Sequence, residues 1–277
     1  MKQYTGKNVG IAFLDTGIFP HIDFDHRILA FWDFIYGRKQ PYDDNGHGTH
    51  VAGIAAGNGM GSRGIYKGVA PECKIIALKV LDHKGNGSKA HVLEALRWVR
   101  ENRENYNIRI VNISVGTTQK EKESHEDLIR AVEQLWDEGV IIVTAAGNMG
   151  PGAGTITAPG SSRKVITVGS SDMLLQNQKI SGRGPTCQCV CKPDIVAPGS
   201  RIISCGTDMK NNRYIAKSGT SMSTPMISGA IAVLLEQYPQ MSNLDIKRRL
   251  KDTALDMGYP HNMQGWGVFQ LHRFLEQ

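Results

Sequence analysis

The sequence predicts an α/β fold, a mostly parallel twisted sheet with helices on both faces. Short β-branched apolar runs alternate with longer segments of helical periodicity, which is the pattern of strands buried between helical layers. Glycines collect at the ends of those runs, where turns belong. The 277 residues are 40% hydrophobic, enough for a substantial core. No linker, low-complexity tract or internal repeat breaks the chain, so one domain over 1–277 is expected.

Five runs read as strands: 9–14, 75–80, 108–113, 140–145 and 165–168. Five segments read as helices: 47–56, 90–102, 128–138, 225–237 and 243–252. The fourth helix carries Ile227, Ala230, Ile231, Val233, Leu234 and Leu235 at helical spacing. The hydroxyls of SGTSMSTP just before it read as caps, with Pro225 tolerated in the first turn. In the fifth, Leu244, Ile246 and Leu250 share the segment with Lys247, Arg248, Arg249 and Lys251, which read as a solvated face. A net charge of +6 raises the question of nucleic acid. No aromatic stacking pattern or nucleic-acid motif accompanies the basic residues, so no such partner is expected.

The opening MKQYTGKNVGIAFLDTG has no apolar stretch followed by a cleavage site, and no run approaches about 18 apolar residues. The chain therefore reads as soluble, without a membrane partner and cytoplasmic, or secreted if a leader has been removed. Five cysteines, an odd number, fit a reducing compartment better than a disulfide framework.

In parallel sheets functional groups gather at the carboxyl ends of strands. The first strand ends in FLDTG, presenting Asp15, which is either a turn former or a working carboxylate. The third ends in NISVG, with Ser114, Val115 and Gly116, and the fourth in AAGNMG, with Asn148. DNGHGTHVAG places His47 and His50 at the start of a helix. A metal pair there lacks an HExxH pattern and a carboxylate on the same helix, so a general base is the better reading and no metal is assigned. Acyl transfer needs a hydroxyl, a base, a carboxylate to orient the base, and donors for an oxyanion. The chain offers these in the order Asp, His, Ser. An α/β-hydrolase would run Ser, Asp, His around G-x-S-x-G, whereas here the serine context is Gly-Thr-Ser-Met-Ser.

FLDTGI, DNGHGTHVAG, AAGN and SGTSMSTP, in that order, resemble the four signature segments of the subtilisin-like serine proteases. KGVAP (67–71), KVLD (79–82), SGRGP (181–185) and KPDIVAPG (192–199) extend the resemblance from Asn8 to Gly267. The YTGK start, PYDDNGHGTH and the missing signal peptide are most similar to the bacterial intracellular branch. The resemblance implies a single subtilisin-like peptidase domain that hydrolyses peptide bonds through an acyl-enzyme on Ser221. It implies His47 as general base and later acid, Asp15 as the carboxylate orienting it, and Asn148 as oxyanion donor beside the Ser221 N–H. Thr220 and Ser223 would then serve the turn and the cap. The partner implied is a polypeptide, held as an extra strand between Ser114-Val115-Gly116 and Gly85-Asn86-Gly87. Small residues near Gly116, Ala145 and Gly147 would leave room for a large apolar side chain before the scissile bond.

Several features stand apart from that pattern. GMGSRG (59–64) satisfies G-x-G-x-x-G but follows a helix and leads toward a strand, so a dinucleotide cofactor is not expected. Cys187, Cys189 and Cys191 form a C-x-C-x-C run open to three readings: a metal site completed by Cys205 or a histidine, a redox pair, or no special role. Cys73 reads as a small apolar filler. The chemistry requires no cofactor. Relatives carry calcium, one site on a loop, but the matching stretch 57–68 has no Asp or Glu. Structural calcium stays possible at Asp23, Asp25, Asp43 and Asp44, which equally read as turn carboxylates. The family's N-terminal prosegment is expected to have been removed or dispensed with.

Overall fold

β1 (Gly10–Asp15) is buried at every position, as a strand covered on both faces must be. It runs parallel to β3 (Lys74–Lys79), and their carboxyl ends place Asp15 beside Lys79. The computed structural model describes residues 4–116, 125–174 and 181–276. By contact density the chain divides into two compact units. In the first unit the sheet order is β2 (Ile28–Asp33), β3, β1, β4 (Ile108–Ile113); in the second it is β5 (Ile141–Ala145), β6 (Ile166–Ser170), β7 (Ile195–Ala197); β8 (Ile202–Asp208) and β9 (Asn212–Lys217) form a separate two-stranded sheet.

The first unit comprises 1–112, 203–217 and 228–240. Its edge strand β2 (Ile28–Asp33) escapes a periodicity reading because its exposure is irregular, with Trp32 half exposed. α1 (His47–Ala56) matches its expected bounds. α2 (Lys89–Tyr106) is longer than expected: Ser88 caps it by accepting from His91 N–H, and Asn107 ends it at φ 50°. β4 (Ile108–Ile113) matches its expected span.

The second unit comprises 113–202, 218–227 and 241–277. α3 (Glu126–Asp137) starts two residues early, on an acidic first turn that suits the helix dipole. β5 (Ile141–Ala145), β6 (Ile166–Ser170) and β7 (Ile195–Ala197) pair in parallel. β6 runs two residues past expectation because Gly169 and Ser170 pair with β7 without carrying an apolar signal. β7 is three residues long, too short to show a periodicity; the pair β8 (Ile202–Asp208) and β9 (Asn212–Lys217), which apart from Ile202 belongs to the first unit, is also absent from the expected strands.

α4 (Thr220–Gln237) begins five residues before the expected 225. Pro225 lies inside the helix and has no N–H for the Ser221 carbonyl; the Ser114 hydroxyl donates to that carbonyl instead, at 3.3 Å. α5 (Asn243–Thr253) is capped by Ser242. Its basic residues are not one solvated face. Lys247 donates to the carbonyls of Arg163, Lys164 and Val165, each at 2.9 Å, and Arg249 Nε donates to Phe274 O at 2.6 Å. Two short helices, α6 (His261–Gln264) and α7 (Leu271–Leu275), follow. No described helix is long and apolar enough to cross a membrane.

Candidate active site

In the first unit Asp15 closes β1 and His47 opens α1. His47 Nδ1 lies 2.7 Å from Asp15 Oδ1, an oxygen that also accepts the Thr16 N–H at 2.7 Å. The carboxylate thus fixes which imidazole nitrogen faces inward and leaves Nε2 for other work. Burial pushes the imidazole pKa down, but the adjacent carboxylate and its hydrogen bond prevail and hold it above its ordinary value. The close approach of α1 requires Gly48: a Cβ there would stand 2.2 Å from the Gly17 carbonyl oxygen.

Asp43 anchors that approach. Its buried carboxylate accepts the N–H groups of Gly46 and Thr49 at 2.8 Å and the Thr49 hydroxyl at 2.6 Å, satisfying the free amides of the helix start. Thr16 donates to Asp43 at 2.8 Å and accepts Gly48 N–H at 2.9 Å, tying the strand end to the helix. Although burial disfavours the charge, these bonds keep the Asp43 carboxyl below the usual carboxylate range. Asp44 pairs with buried Lys79 at 2.7 Å and Asp25 with Arg27 at 3.1 Å, so these carboxylates are occupied by protein donors. His50 is buried and faces the Ile215 carbonyl at 3.0 Å, so the two histidines of the motif serve different partners.

Gly85, Asn86 and Gly87 form a loop rather than a paired strand. Asp82 N–H donates to Asn86 O at 2.8 Å, and Asp82 Oδ1 accepts Asn86 N–H at 2.9 Å. GMGSRG lies between α1 and β3 and forms only a three-residue 3₁₀ turn (Met60–Ser62), opening no α-helix. Within that turn, Gly61 N–H donates to Asp23 Oδ1 at 2.8 Å. Cys73 is fully buried, which pushes its thiol up to about 12, as befits an apolar filler.

In the second unit Ser221 occupies the first turn of α4, and its hydroxyl donates to the Ser114 carbonyl at 2.9 Å. Asn148 lies just past β5. Its Oδ1 accepts the Thr220 N–H at 3.0 Å and the Thr220 hydroxyl at 3.1 Å. A backbone N–H can only donate, so it fixes the amide orientation and presents Nδ2 as a donor directed elsewhere. Thr220 therefore positions Asn148 instead of shaping a turn. Ser223 is no cap either: its hydroxyl donates to Ala197 O at 2.8 Å and Pro198 O at 3.0 Å.

Gly116 and Gly147 both stand against Thr157, a residue the sequence reading missed. A Cβ on either would come within 2.2 Å or 2.6 Å of the Thr157 hydroxyl oxygen, so threonine fills space that small residues had suggested was open. Ala145 closes β5 and is buried. Cys187, Cys189 and Cys191 are exposed and free, on a turn in which Cys189 N–H donates to Thr186 O at 2.9 Å. They do not converge as ligands. Among the described residues, His21, Asp23 and Cys205 are the group of His, Cys, Asp or Glu whose ligand atoms lie within 4.8 Å of one another.

Residues 6–267 match the subtilase family. The chain is 41% identical to Serine protease AprX of Bacillus subtilis (strain 168) over 91% of its own length and 62% of that protein's, so it spans less than two thirds of this relative. It is 37% identical to Subtilisin Savinase of Lederbergia lenta, over 96% of this chain and 90% of that protein. Among solved structures, Sphericase superposes with a TM-score of 0.81 at 30% identity, covering 98% of this chain and 94% of its own.

Proposed function

The chain belongs to the subtilase family of serine proteases, and on that premise we propose that it is an endopeptidase acting through an acyl-enzyme on Ser221. The observation that carries this reading is the 2.7 Å bond from Asp15 to His47, which prepares a basic Nε2. In the proposed reaction His47 Nε2 takes the Ser221 proton while Oγ attacks the peptide carbonyl. Asn148 Nδ2 and the Ser221 N–H receive the negative charge that develops on the carbonyl oxygen. The imidazolium, stabilised by Asp15, then gives its proton to the leaving amine, and water repeats the sequence to release the acyl group.

The polypeptide is proposed to lie along Ser114-Val115-Gly116 and Gly85-Asn86-Gly87. Support comes from Val115 and Gly116, which make no backbone hydrogen bond to another described residue. Residues 1–277 are proposed to act as one catalytic domain. A calcium ion does not suit the 57–68 stretch: it lacks carboxylates, and its Gly61 N–H points at Asp23 as a donor. Three exposed free thiols favour a reducing, intracellular compartment.

The test is cleavage of denatured casein by the purified chain and by Ser221→Ala. Cleavage by the first alone is the expected result; equal cleavage by both, or by neither when both are folded, would contradict the proposal.

A further inference from the structure

The stretch after α1, in the first unit, has no part in the proposed chemistry. It carries the two most exposed large apolar side chains among the described residues, Ile65 at 75% and Met60 at 58%. Ile22 and Tyr66, at 42% and 37%, extend the same surface. We propose that Ile22, Met60, Ile65 and Tyr66, with the cations Arg63, Lys67 and Arg213, form a contact surface for an anionic lipid bilayer. The sequence expectation of no membrane partner rested on the lack of a spanning segment, and a peripheral contact needs none.

Three observations carry this. The first is contiguity. A Cβ on Gly61 would stand 2.9 Å from Ile22 Cγ2 and 3.0 Å from Arg213 Cδ, and one on Gly59 would stand 3.2 Å from Lys67 Cβ. The Tyr66 ring packs on Tyr214 of β9 with centroids 5.0 Å apart. Apolar side chains and cations thus share one surface instead of lying scattered. The second is projection from a fixed base. Gly64 N–H donates to Gly59 O at 2.8 Å, Ile65 N–H to Ser62 O at 3.2 Å, and Tyr66 N–H to Ser62 Oγ at 2.9 Å. A Cβ on Gly64 would meet nothing within 4 Å, so this part of the turn stands in solvent. Apolar tips on a projecting turn suit a soft layer that they can enter. The third is charge. Residues 57–68 hold Arg63 and Lys67 and no Asp or Glu, and Arg213 donates from NH1 to Gly61 O at 3.2 Å. The neighbouring carboxylates are held by protein donors: Asp23 by Gly61 N–H and the Tyr214 hydroxyl, Asp25 by Arg27, and Asp208 by the N–H groups of Lys210 and Asn211. A positive rim around an apolar centre complements acidic headgroups over acyl chains. A symmetric contact with a second copy would instead set these cations against one another. The ten residues of α1, about 15 Å of helix, separate His47 from this turn.

The test uses the full chain carrying Ser221→Ala against self-cleavage, cosedimented with vesicles of phosphatidylcholine alone or mixed with phosphatidylserine. The mixed vesicles should bind about 10²-fold more tightly, the effect of three cations near an acidic surface, and high salt should erase the difference. Met60→Ser with Ile65→Ser should weaken binding to mixed vesicles by about 10-fold, and Arg63→Gln with Lys67→Gln by about 30-fold. These four side chains stand in solvent, so both variants fold as the parent does. Absence of binding to mixed vesicles overturns the proposal. Unchanged binding in Met60→Ser with Ile65→Ser overturns it too, since charge alone would then hold the chain. Retention on polyglutamate without vesicle binding would reassign the surface to an acidic polypeptide. A vesicle-free dimer that Met60→Ser with Ile65→Ser dissolves, again without vesicle binding, would reassign it to a second copy of this chain.

Discussion

Ser114 and Ser221 exchange hydrogen bonds: the Ser221 hydroxyl donates to the Ser114 carbonyl at 2.9 Å, and the Ser114 hydroxyl donates to the Ser221 carbonyl at 3.3 Å. The second bond fills the gap that Pro225 leaves in the helix ladder. Ser114→Ala should therefore strand a buried carbonyl and cost about 1–3 kcal/mol in urea unfolding. Pro225→Ala restores a backbone N–H, so adding it to Ser114→Ala should recover part of that loss. Strict additivity of the two substitutions would show that they do not share this carbonyl.

Thr220 holds the Asn148 amide by two bonds, one of them from its hydroxyl. Thr220→Val keeps the backbone donor and removes the hydroxyl, so under the proposed oxyanion role of Asn148 kcat should fall about 10-fold with KM nearly unchanged. Asn148→Ala should lose about 10²–10³ in kcat, the magnitude known for the corresponding asparagine of subtilisin. A change confined to KM in either variant would place Asn148 in ground-state binding instead.

Because Asp15 holds the His47 pKa above the ordinary imidazole value of about 6.5, the neutral form that the proposed base needs gains ground at higher pH than in a free imidazole. The kcat/KM profile should rise with pH through a midpoint above that value. Asp15→Asn should lower the midpoint and reduce kcat by about 10⁴. Stability has the opposite sense. The charged pair favours the folded state fully below the unfolded imidazole pKa, and this contribution disappears as pH rises through the higher folded pKa. In the parent, urea midpoints should therefore fall across that window relative to His47→Ala.

The Thr157 hydroxyl is buried against Gly116 and Gly147 and has no hydrogen-bond partner among the described residues. Thr157→Ala should open this space and raise the kcat/KM ratio of Phe over Ala peptide substrates by about 10-fold. Thr157→Val keeps the volume and removes the unpaired hydroxyl, so it should leave the ratio and the stability nearly unchanged. An unchanged ratio in Thr157→Ala would remove Thr157 from the specificity pocket.

The sequence was most informative where one residue type carries the signal alone. β1 and β4 are uniformly buried apolar runs, and α1 follows a glycine-rich motif whose ends are sharp. Asp15, His47, Asn148 and Ser221 stood at strand ends and helix starts, where chemistry collects. Distant partners were harder to see. The start of α4 was misplaced because Pro225 reads locally as a first-turn proline, whereas its missing bond is supplied from 107 residues away. Lys247 looks solvated by periodicity but ends on three carbonyls. Thr16, Asp43 and Thr157 acquire their roles only through neighbours that folding brings to them.

The most direct measurement is intact mass and peptide mapping after treatment with a fluorophosphonate. The account predicts a single adduct, on Ser221, absent from Ser221→Ala and strongly slowed in His47→Ala. A folded parent chain that takes no adduct, or takes it on another residue, would contradict the assignment of Ser221 as the nucleophile.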